Sequence, residues 1–137
     1  MIRELNNDDE PMLGILVERY FKRSGATKDV RLNEFLKAFG AFIDGKMVGF
    51  VLFNDVYGDI EICYIAVIEK YRRKHIASML ISEALKLMKN ICSLDVRSKN
   101  VAAIALYKSM GFVPVYIRKN YYDDDDAIVM LKEVQKC

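Results

Sequence analysis

The sequence predicts a mixed α+β fold: a central sheet of about seven mostly antiparallel strands with one parallel crossover pair, flanked by about four helices. Apolar runs separated by turn residues between Gly40 and Val67 indicate an antiparallel meander. An amphipathic helical pattern follows the apolar strand Ile60 to Val67 and leads to another apolar run, Cys92 to Val96. Since a strand, a helix and a strand in series form a crossover, these two strands should lie parallel.

The elements before the meander are predicted as one edge strand and two helices. Met1 to Leu5 can form the strand, and Asp8, Asp9 and Pro11 are typical of a helix start. Apolar residues then recur every three or four positions up to Ser24-Gly25, which ends the first helix. The same spacing predicts a second, shorter helix in Leu32, Phe35, Leu36 and Phe39.

Turn and cap residues mark the other elements. Asp44-Gly45 and Tyr57-Gly58-Asp59 are hairpin signals within the meander. After the crossover, Asn100 can cap the last helix. A final hairpin is predicted from the strands Phe112 to Arg118 and Ala127 to Val134.

Length and composition predict a single domain over residues 1–137, because 53% apolar residues in such a chain can form one core. A net charge of +2 gives no indication of a nucleic-acid partner. The polar N-terminus and the short apolar runs predict neither a signal peptide nor a membrane span, so a cytoplasmic protein is expected. Cys63, Cys92 and Cys137 are expected to be free thiols. They and the single histidine, His75, lack metal-ligand spacing, so no metal is predicted.

A basic run, Arg72 to His75, stands where the helical pattern begins, and we predict it in the first turn of the central helix. The helix dipole disfavours cations there, so a bound polyanion would explain them. The free N–H groups of a helix start and nearby basic side chains can hold phosphates together. A solvated basic turn without a ligand is the alternative. The predicted apolar face of this helix consists of Ala77, Leu80, Ile81, Ala84, Leu85 and Met88.

The run Arg72-Arg73-Lys74-His75-Ile76-Ala77 resembles the acetyl-CoA motif [RQ]-x-x-G-x-[GA] of the GNAT N-acetyltransferases, with His75 in place of the central glycine. Leu94 to Phe112 resembles the L-[ED]-V-R-x-x-N-x-x-A-x-x-L-Y-x-x-x-G-F block of the N-terminal protein acetyltransferases, most closely those of the ribosomal-protein-alanine (RimI) type. Asn120 to Met130 is similar to the N-Y-Y-x-x-x-E-D-A-x-x-M segment of that group, although its loop is one residue shorter and lacks a glycine.

The resemblance implies a GNAT fold, acetyl-CoA as the acetyl donor, and the N-terminal α-amine of a protein, such as a ribosomal protein, as the acceptor. It implies that Asp95 stands at the general base, where the family has glutamate, and Tyr107 at the general acid. Tyr121 and Tyr122 would contact the peptide substrate. The residues implied to bind the cofactor are Ile65, Ala66, Val67, Arg72, Arg73, Lys74, His75, Ile76, Ala77, Ser78, Asn100 and Tyr107.

These residue types suit acetyl transfer to an amine. A peptide α-amine has a pKa of ~8 and must lose a proton before it attacks a thioester, and a carboxylate such as Asp95 can accept that proton through a water. A departing thiolate, with a thiol pKa of ~8.5, needs a donor such as the Tyr107 hydroxyl, and a backbone N–H at Val67 can stabilise the oxyanion. The structural alternatives are Asp95 as an ion-pair partner of Arg97, Tyr107 as a core residue, and Tyr121-Tyr122 as plain edge-strand residues.

Three functions remain open at the level of sequence. The first is N-terminal acetylation of a protein, which the NYY…DA…M ending favours. The second, in the same fold, is acetylation of a small amine such as a polyamine or an antibiotic. The third is a CoA-binding module without catalytic activity, which the departures at His75 and Asp95 leave open. The acidic run Asp123 to Asp126 is interpreted as a solvated turn.

Overall fold

The computed structural model describes residues 1–134, which form one seven-stranded sheet with α-helices on both faces. The strands are β1 (Ile2–Glu4), β2 (Leu36–Ile43), β3 (Lys46–Val56), β4 (Asp59–Val67), β5 (Ile91–Arg97), β6 (Val113–Tyr122) and β7 (Asp125–Glu133), and the helices are α1 (Glu10–Phe21), α2 (Ile76–Leu85) and α3 (Val101–Ser109). Their order in the sheet is β1-β2-β3-β4-β5-β7-β6, and every neighbouring pair is antiparallel except β4 and β5. The predicted mixed fold with one parallel pair is therefore confirmed. Cys137 lies outside the described residues.

Several local predictions are confirmed by backbone geometry. The β2–β3 turn has φ of 52° at Asp44 and 77° at Gly45, and the β3–β4 turn has φ of 52° at Tyr57 and 90° at Gly58. Two consecutive positive φ values are typical of the type I′ turn that matches the twist of paired strands. Asn100 caps α3, because its side-chain oxygen accepts a hydrogen bond from the Ala103 N–H at 3.2 Å.

The helix predicted over Leu32, Phe35, Leu36 and Phe39 is wrong, and residues 1–134 contain three α-helices instead of about four. The side-chain oxygen of Asn33 accepts hydrogen bonds from the N–H groups of Phe35 at 2.8 Å and Leu36 at 3.0 Å. This local turn competes with a helix and leads directly into β2. Pairing of β2 with β1 on one side and β3 on the other then outweighs a helical spacing of apolar residues.

The central helix begins later than predicted. Arg72–Lys74 precede it and His75 is its N-cap residue, so the prediction that these residues occupy the first helical turn is wrong. Glu69–Tyr71 form a short 3-10 turn, and a left-handed backbone at Arg73 and His75 cannot continue into a right-handed helix. Met88 lies beyond the helix end. Of the predicted apolar face, Leu80, Ile81 and Ala84 are fully buried.

Two apolar cores hold the sheet, one on each face. β3 contributes to both, and every residue from Met47 to Phe53 except Gly49, which has no side chain, belongs to one of them. On one face α1 covers β2 to β4, with a core of Leu5, Leu13, Leu16, Val17, Val30, Ala38, Met47, Phe50 and Leu52. On the other face α2 and α3 cover a core that extends to β5 and β7 and includes Val48, Val51, Phe53, Ile60, Leu80, Ile81, Cys92, Leu94, Val96, Tyr107, Phe112 and Met130.

The last hairpin forms an edge of the sheet and is longer than predicted. β6 continues to Tyr122 and β7 begins at Asp125, so only Asp123 and Asp124 form the turn. All β6 residues before Tyr122 are exposed, and the strand carries Pro114 and two register irregularities. These features are common at edge strands, where they hinder pairing with another chain.

Candidate active site

The candidate site lies where β4 and β5 separate. These strands pair through only three residues each, Ile60 to Ile62 with Cys92 to Leu94. A bulge at Cys63, where Leu52 pairs with Tyr64 but Phe53 pairs with Ile62, coincides with the point at which β4 leaves β5. Beyond it, the backbone of β4 facing β5 has no ladder partner. An extended ligand with amide groups can hydrogen-bond to such a strand edge.

A cleft of about 1110 Å³ occupies this gap. It brings together six residues that the sequence predicted for the site, namely Ile65, Asp95, Asn100, Tyr107, Tyr121 and Tyr122. The other predicted cofactor residues, Ala66, Val67 and 72–78, do not line the cleft and lie at the end of β4 and the start of α2. The predicted residues therefore form two neighbouring groups, one around the cleft and one at the helix start.

The two predicted catalytic side chains reach the cleft from opposite faces of the sheet. Along β5, Leu94 and Val96 belong to the core under α2 and α3. Because side chains alternate along a strand, Asp95 points to the other face, the one that α1 covers further along the sheet. Tyr107, on α3, belongs to the core on the α2 and α3 side. Side chains from both faces of the sheet therefore line the cleft.

Asp95 is exposed at the cleft and forms an ion pair, but not with the partner that the sequence suggested. Its Oδ1 lies 3.5 Å from Nε of Arg118 on β6. Arg97, the proposed partner, instead forms an ion pair with Asp124 in the β6–β7 turn, and its guanidinium lies 4.1 Å from the centre of the Tyr122 ring. The alternative of an Asp95–Arg97 pair is therefore wrong.

Tyr107 is almost completely buried, with 7% of its surface exposed, and its ring packs edge-on against Phe112 with centroids 5.9 Å apart. Burial raises the pKa of Tyr107 to about 12, with smaller contributions from Tyr122 and Cys92. At neutral pH the hydroxyl therefore keeps its proton and can act as a hydrogen-bond donor. The core-residue alternative is correct for the ring, although the residue also lines the cleft.

The start of α2 presents backbone donors. The first hydrogen bond of the helix runs from the Met79 N–H to the His75 carbonyl, so the N–H groups of residues 75–78 have no helical acceptor. No side chain caps the helix, and φ is 65° at Arg73 and 62° at His75. Left-handed residues within a turn form concave nests of N–H groups that suit anions. This backbone can therefore receive a phosphate group.

Two side chains at this helix start form hydrogen bonds to backbone carbonyls of the protein itself. Nε of Arg72 donates a hydrogen bond to the Val67 carbonyl at 2.9 Å, and its guanidinium lies 5.9 Å from the centre of the Tyr20 ring. The Ser78 hydroxyl donates to the His75 carbonyl at 2.8 Å. Arg72 therefore ties the end of β4 to the basic turn, whereas Arg73 and Lys74 are exposed to solvent.

Aromatic residues that the sequence did not single out form one wall of the cleft. Phe21 at the end of α1 packs against Tyr64 of β4 with ring centroids 4.6 Å apart, and Tyr20 lies beside it. Tyr121 and Tyr122 meet edge-to-face at 5.1 Å, and burial and the nearby Asp95 carboxylate raise the pKa of Tyr122. Tyr64 carries a hydroxyl in the apolar second half of β4, which was the available signal for its place in the site.

The acidic run is a solvated turn only at Asp123 and Asp124, which are exposed, whereas Asp125 and Asp126 begin β7 and are partly buried, so the sequence interpretation is correct only in part. Asp125 accepts the Ser98 hydroxyl and the Lys99 N–H, the latter at 2.9 Å, and the Ser98 bond is the main cause of its lowered pKa. The Asn120 N–H donates to Asp126 at 2.8 Å and lowers the pKa of that carboxyl. The bonds of Asp124 and Asp125 hold the β6–β7 turn against the end of β5 and the loop that follows it, and the Asp126 bond joins the two strands of the hairpin.

Cys63 and Cys92 are free thiols, as predicted, and burial raises the pKa of Cys63 to about 11 and that of Cys92 to about 12. Within residues 1–134, no group of three or more His, Cys, Asp or Glu side chains could hold a metal ion. None of the helices in that range combines the length and the apolar character needed to cross a membrane.

Comparison with known proteins decides the family. The chain matches the Acetyltransferase (GNAT) family over residues 2–112. It belongs to the GNAT acetyltransferases. As a member, it is an acetyl-CoA-dependent N-acetyltransferase, as the sequence resemblance implied.

Individual relatives of this GNAT chain include N-terminal acetyltransferases. An N-alpha-acetyltransferase of Saccharolobus solfataricus is 35% identical over an alignment of 122 positions, and the match covers 72% of this chain and 73% of the relative. The structure is similar to that of the ribosomal-protein-S18-alanine N-acetyltransferase from Escherichia coli, with a TM-score of 0.83, 28% identity and coverage of 100% of this chain and 95% of that one. Arabidopsis thaliana NAA60 in complex with acetyl-CoA has the same fold, with a TM-score of 0.78, 20% identity and 98% of each chain covered.

The residues present fit acetyl-CoA. Its diphosphate matches the uncapped N–H groups before and within the first turn of α2, beside the exposed side chains of Arg73 and Lys74. Its amide-bearing arm matches the unpaired edge of β4 from Tyr64 to Val67. The uncapped N–H groups lie at the helix start, and the unpaired edge of β4 leads from there to the gap between β4 and β5. The departure from the family motif at His75 is also accommodated, because the backbone there is left-handed, the conformation that a glycine would favour.

Proposed function

We propose that this GNAT chain transfers an acetyl group from acetyl-CoA to the N-terminal α-amine of a protein, in the manner of the ribosomal-protein-alanine enzymes. The carrying observation is the cleft between β4 and β5, lined by Asp95 from one face of the sheet and Tyr107 from the other. In this proposal the two substrates approach from opposite faces and meet between the two side chains. The names of the Saccharolobus and Escherichia coli proteins support a protein N-terminus as the acceptor. A cytoplasmic location is part of this proposal.

The first group of residues holds the acetyl donor. Acetyl-CoA supplies an activated thioester when bound. In this proposal the N–H groups of Arg73 to Ser78 bind its diphosphate, and the backbone of Ile65 to Val67 binds its amide arm. Arg72 acts indirectly, since its hydrogen bond to the Val67 carbonyl fixes the end of β4. The Val67 N–H is proposed as the donor that stabilises the oxyanion.

Asp95 is proposed as the base. The substrate ammonium, with a pKa of ~8, is mostly protonated at neutral pH and is attracted to the Asp95 carboxylate, whose side chain is 31% exposed. The Asp95 carboxylate accepts the proton directly or through a water, which frees the amine for attack. The aspartate is one methylene shorter than the family's glutamate, so we expect Asp95→Glu to retain or improve activity.

Tyr107 is proposed as the donor to the leaving sulfur. With a pKa of about 12, the hydroxyl is a weaker acid than a thiol with a pKa of ~8.5, so complete proton transfer to the thiolate is unfavourable. A hydrogen bond from Oη to the sulfur still stabilises the developing negative charge, and it gains strength because the ring is shielded from water. Asn100, at the start of the same helix, lines the cleft beside it.

The peptide side of the cleft is proposed to lie at the β6–β7 hairpin. Tyr121 and Tyr122 line it, and their hydroxyl groups can bond to a peptide backbone. The turn that carries them is fixed by the bonds of Asp124, Asp125 and Asp126, so this wall is preorganised. A rigid wall of this size favours a peptide over a small flexible amine.

Release of free CoA thiol from acetyl-CoA tests this proposal when several acceptors are compared. We expect turnover of peptides that begin with a free alanine, and none of the same peptides with a blocked N-terminus, spermidine or an aminoglycoside. Turnover of a small amine without turnover of any peptide would replace the proposal with a small-molecule acetyltransferase. Binding of acetyl-CoA without turnover of any acceptor would indicate a binding module.

A further inference from the structure

Arg118 occupies an unusual position in the cleft. It lies on the edge strand β6 and reaches across β7 to Asp95 on β5, where its Nε is 3.5 Å from the carboxylate. In the register, Ala127 of β7 lies between Arg97 and Arg118. Its small side chain leaves room for a long side chain to cross the open face. Arg118 is therefore part of the cleft floor although it belongs to the edge of the sheet.

Two tyrosines hold the guanidinium in this place. Its central carbon lies 5.4 Å from the ring centre of Tyr116 and 5.5 Å from that of Tyr121. Cation–π contacts of this length stabilise a guanidinium without using its hydrogen-bond donors. The side chain is 45% exposed, so its remaining N–H groups are accessible from the cleft.

The second arginine of the cleft floor has a different arrangement. Arg97 pairs with Asp124 and lies over the Tyr122 ring, and both partners belong to the hairpin itself. Among the described residues, the ion pair recorded for Arg118 is with Asp95. Arg97 is therefore paired with a carboxylate that takes no part in the proposed reaction. Arg118, in contrast, is paired with Asp95, the proposed base.

Substrate binding brings a second cation to Asp95. A substrate ammonium must approach Asp95 to give up its proton, and it then meets a carboxylate already paired with a guanidinium. Two cations beside one carboxylate leave one positive charge without a counter-ion. The charges balance if the substrate brings a carboxylate of its own.

We propose that Arg118 selects substrates with an acidic second residue, exchanging its pair with Asp95 for one with the substrate carboxylate. This proposal rests on N-terminal acetylation as the function of the cleft. The second residue follows from distance, because consecutive Cα atoms are only ~3.8 Å apart and Arg118 contacts the carboxylate that receives the α-amine. Tyr116 and Tyr121 keep the guanidinium in place during the exchange.

Three peptides that differ only in their second residue, Ala-Glu, Ala-Gln and Ala-Lys, test the proposal. We expect kcat/KM to be about three- to fivefold higher for Glu than for Gln, and lower again for Lys, as for a partly exposed ion pair. Arg118→Gln should abolish this order and Arg118→Lys should restore part of it. Lys119→Gln, which removes the same charge from the next residue, should keep the order, since Lys119 pairs with Asp126 outside the cleft.

The outcomes separate the two proposals. If all three peptides are acetylated equally by the unaltered protein, or if the preference survives Arg118→Gln, the specificity role is wrong and N-terminal acetylation stands. If Arg118→Gln lowers kcat equally for every peptide, Arg118 only positions Asp95 and the specificity role is again overturned. If no peptide is acetylated while acetyl-CoA is bound, both proposals fail. Thermal unfolding of each variant confirms that the compared proteins are folded.

Discussion

The two halves of the sheet differ in how they are covered. Strands β2 to β4 lie between α1 on one face and α2 on the other, and β3 is buried from Met47 to Phe53. Strands β5, β7 and β6 are covered on one face only, and β6 is exposed along almost its whole length. The covered half uses its side chains for packing, whereas the open face of the other half leaves charged and aromatic side chains free for chemistry.

The largest expected difference between the halves is in stability. Phe53 is fully buried in β3 and stacks on Phe39 with ring centroids 5.8 Å apart. We expect Phe53→Ala to lower the free energy of unfolding by about 3–5 kcal/mol, because it leaves a cavity in a packed core. Ile117→Ala on β6, where the side chain is exposed, is the matched control and should cost less than about 1 kcal/mol. Equal losses of unfolding free energy for the two variants, measured by urea unfolding, would contradict this difference between the halves.

The next effect should be on catalysis and should fall on the open half. Tyr107→Phe keeps the ring packing and removes the proposed donor, so we expect kcat to fall by about 10² with little change in stability. Asp95→Asn should cost less, and its loss should shrink as the pH rises above the amine pKa of ~8, where no base is needed. A Tyr107→Phe enzyme with full activity would assign this tyrosine to packing alone.

Alkaline pH should destabilise the protein through its buried acids. The folded state raises the pKa of Cys63 to about 11 and those of Cys92 and Tyr107 to about 12, above the unfolded values of 9.0 and 10.0. The unfolded state therefore loses protons first, so stability is retained below about pH 9 and falls progressively towards pH 12. We expect Tyr107 alone to account for about 2 kcal/mol of this loss.

Thermal unfolding between pH 8 and pH 12 measures this effect. The slope for Tyr107→Phe should be shallower than that of the unaltered protein, whereas Tyr57→Phe, at an exposed tyrosine, should not change it. An unchanged slope for Tyr107→Phe would mean that the hydroxyl is not shielded from water in the folded protein.

The smallest expected effect concerns the start of α2. His75 has a left-handed backbone with φ of 62°, which is unfavourable for a residue with a Cβ. His75→Gly should therefore raise the free energy of unfolding by about 0.5–1 kcal/mol and leave activity intact or improved. Ser82→Gly, in the right-handed part of the same helix, should have the opposite sign. A fall in kcat of about 10³ with acetyl-CoA binding retained would instead give the imidazole a chemical role.

The sequence predicted the local features well because short-range chemistry determines them. The turns at Asp44-Gly45 and Tyr57-Gly58 and the cap at Asn100 depend on a few adjacent residues, and all three are confirmed. The failed helix over Leu32 to Phe39 shows the limit. Its apolar spacing fits a helix, but the long-range pairing of β2 with two strands decides the outcome.

The candidate site was predictable only in part, for a related reason. Asp95, Asn100 and Tyr107 stand in a continuous motif, and the structure brings them into one cleft. The role of each remains a prediction. The partner of Asp95 could not be read from the sequence, because Arg118 lies 23 positions away and meets it only after β7 has inserted between β5 and β6. Spacing along one strand suggested Arg97 instead.

The short pairing between β4 and β5 should also limit how cooperatively the sheet unfolds. Only three residues of each strand join the two parts of the sheet by backbone hydrogen bonds, and on the α1 side the helix does not extend over both parts. The amide protons of β5, β6 and β7 should therefore exchange with solvent through partial openings that leave β1 to β4 intact. A ligand bound along the edge of β4 and held by residues around β5 would join the parts, so bound acetyl-CoA should make the sheet open as one unit.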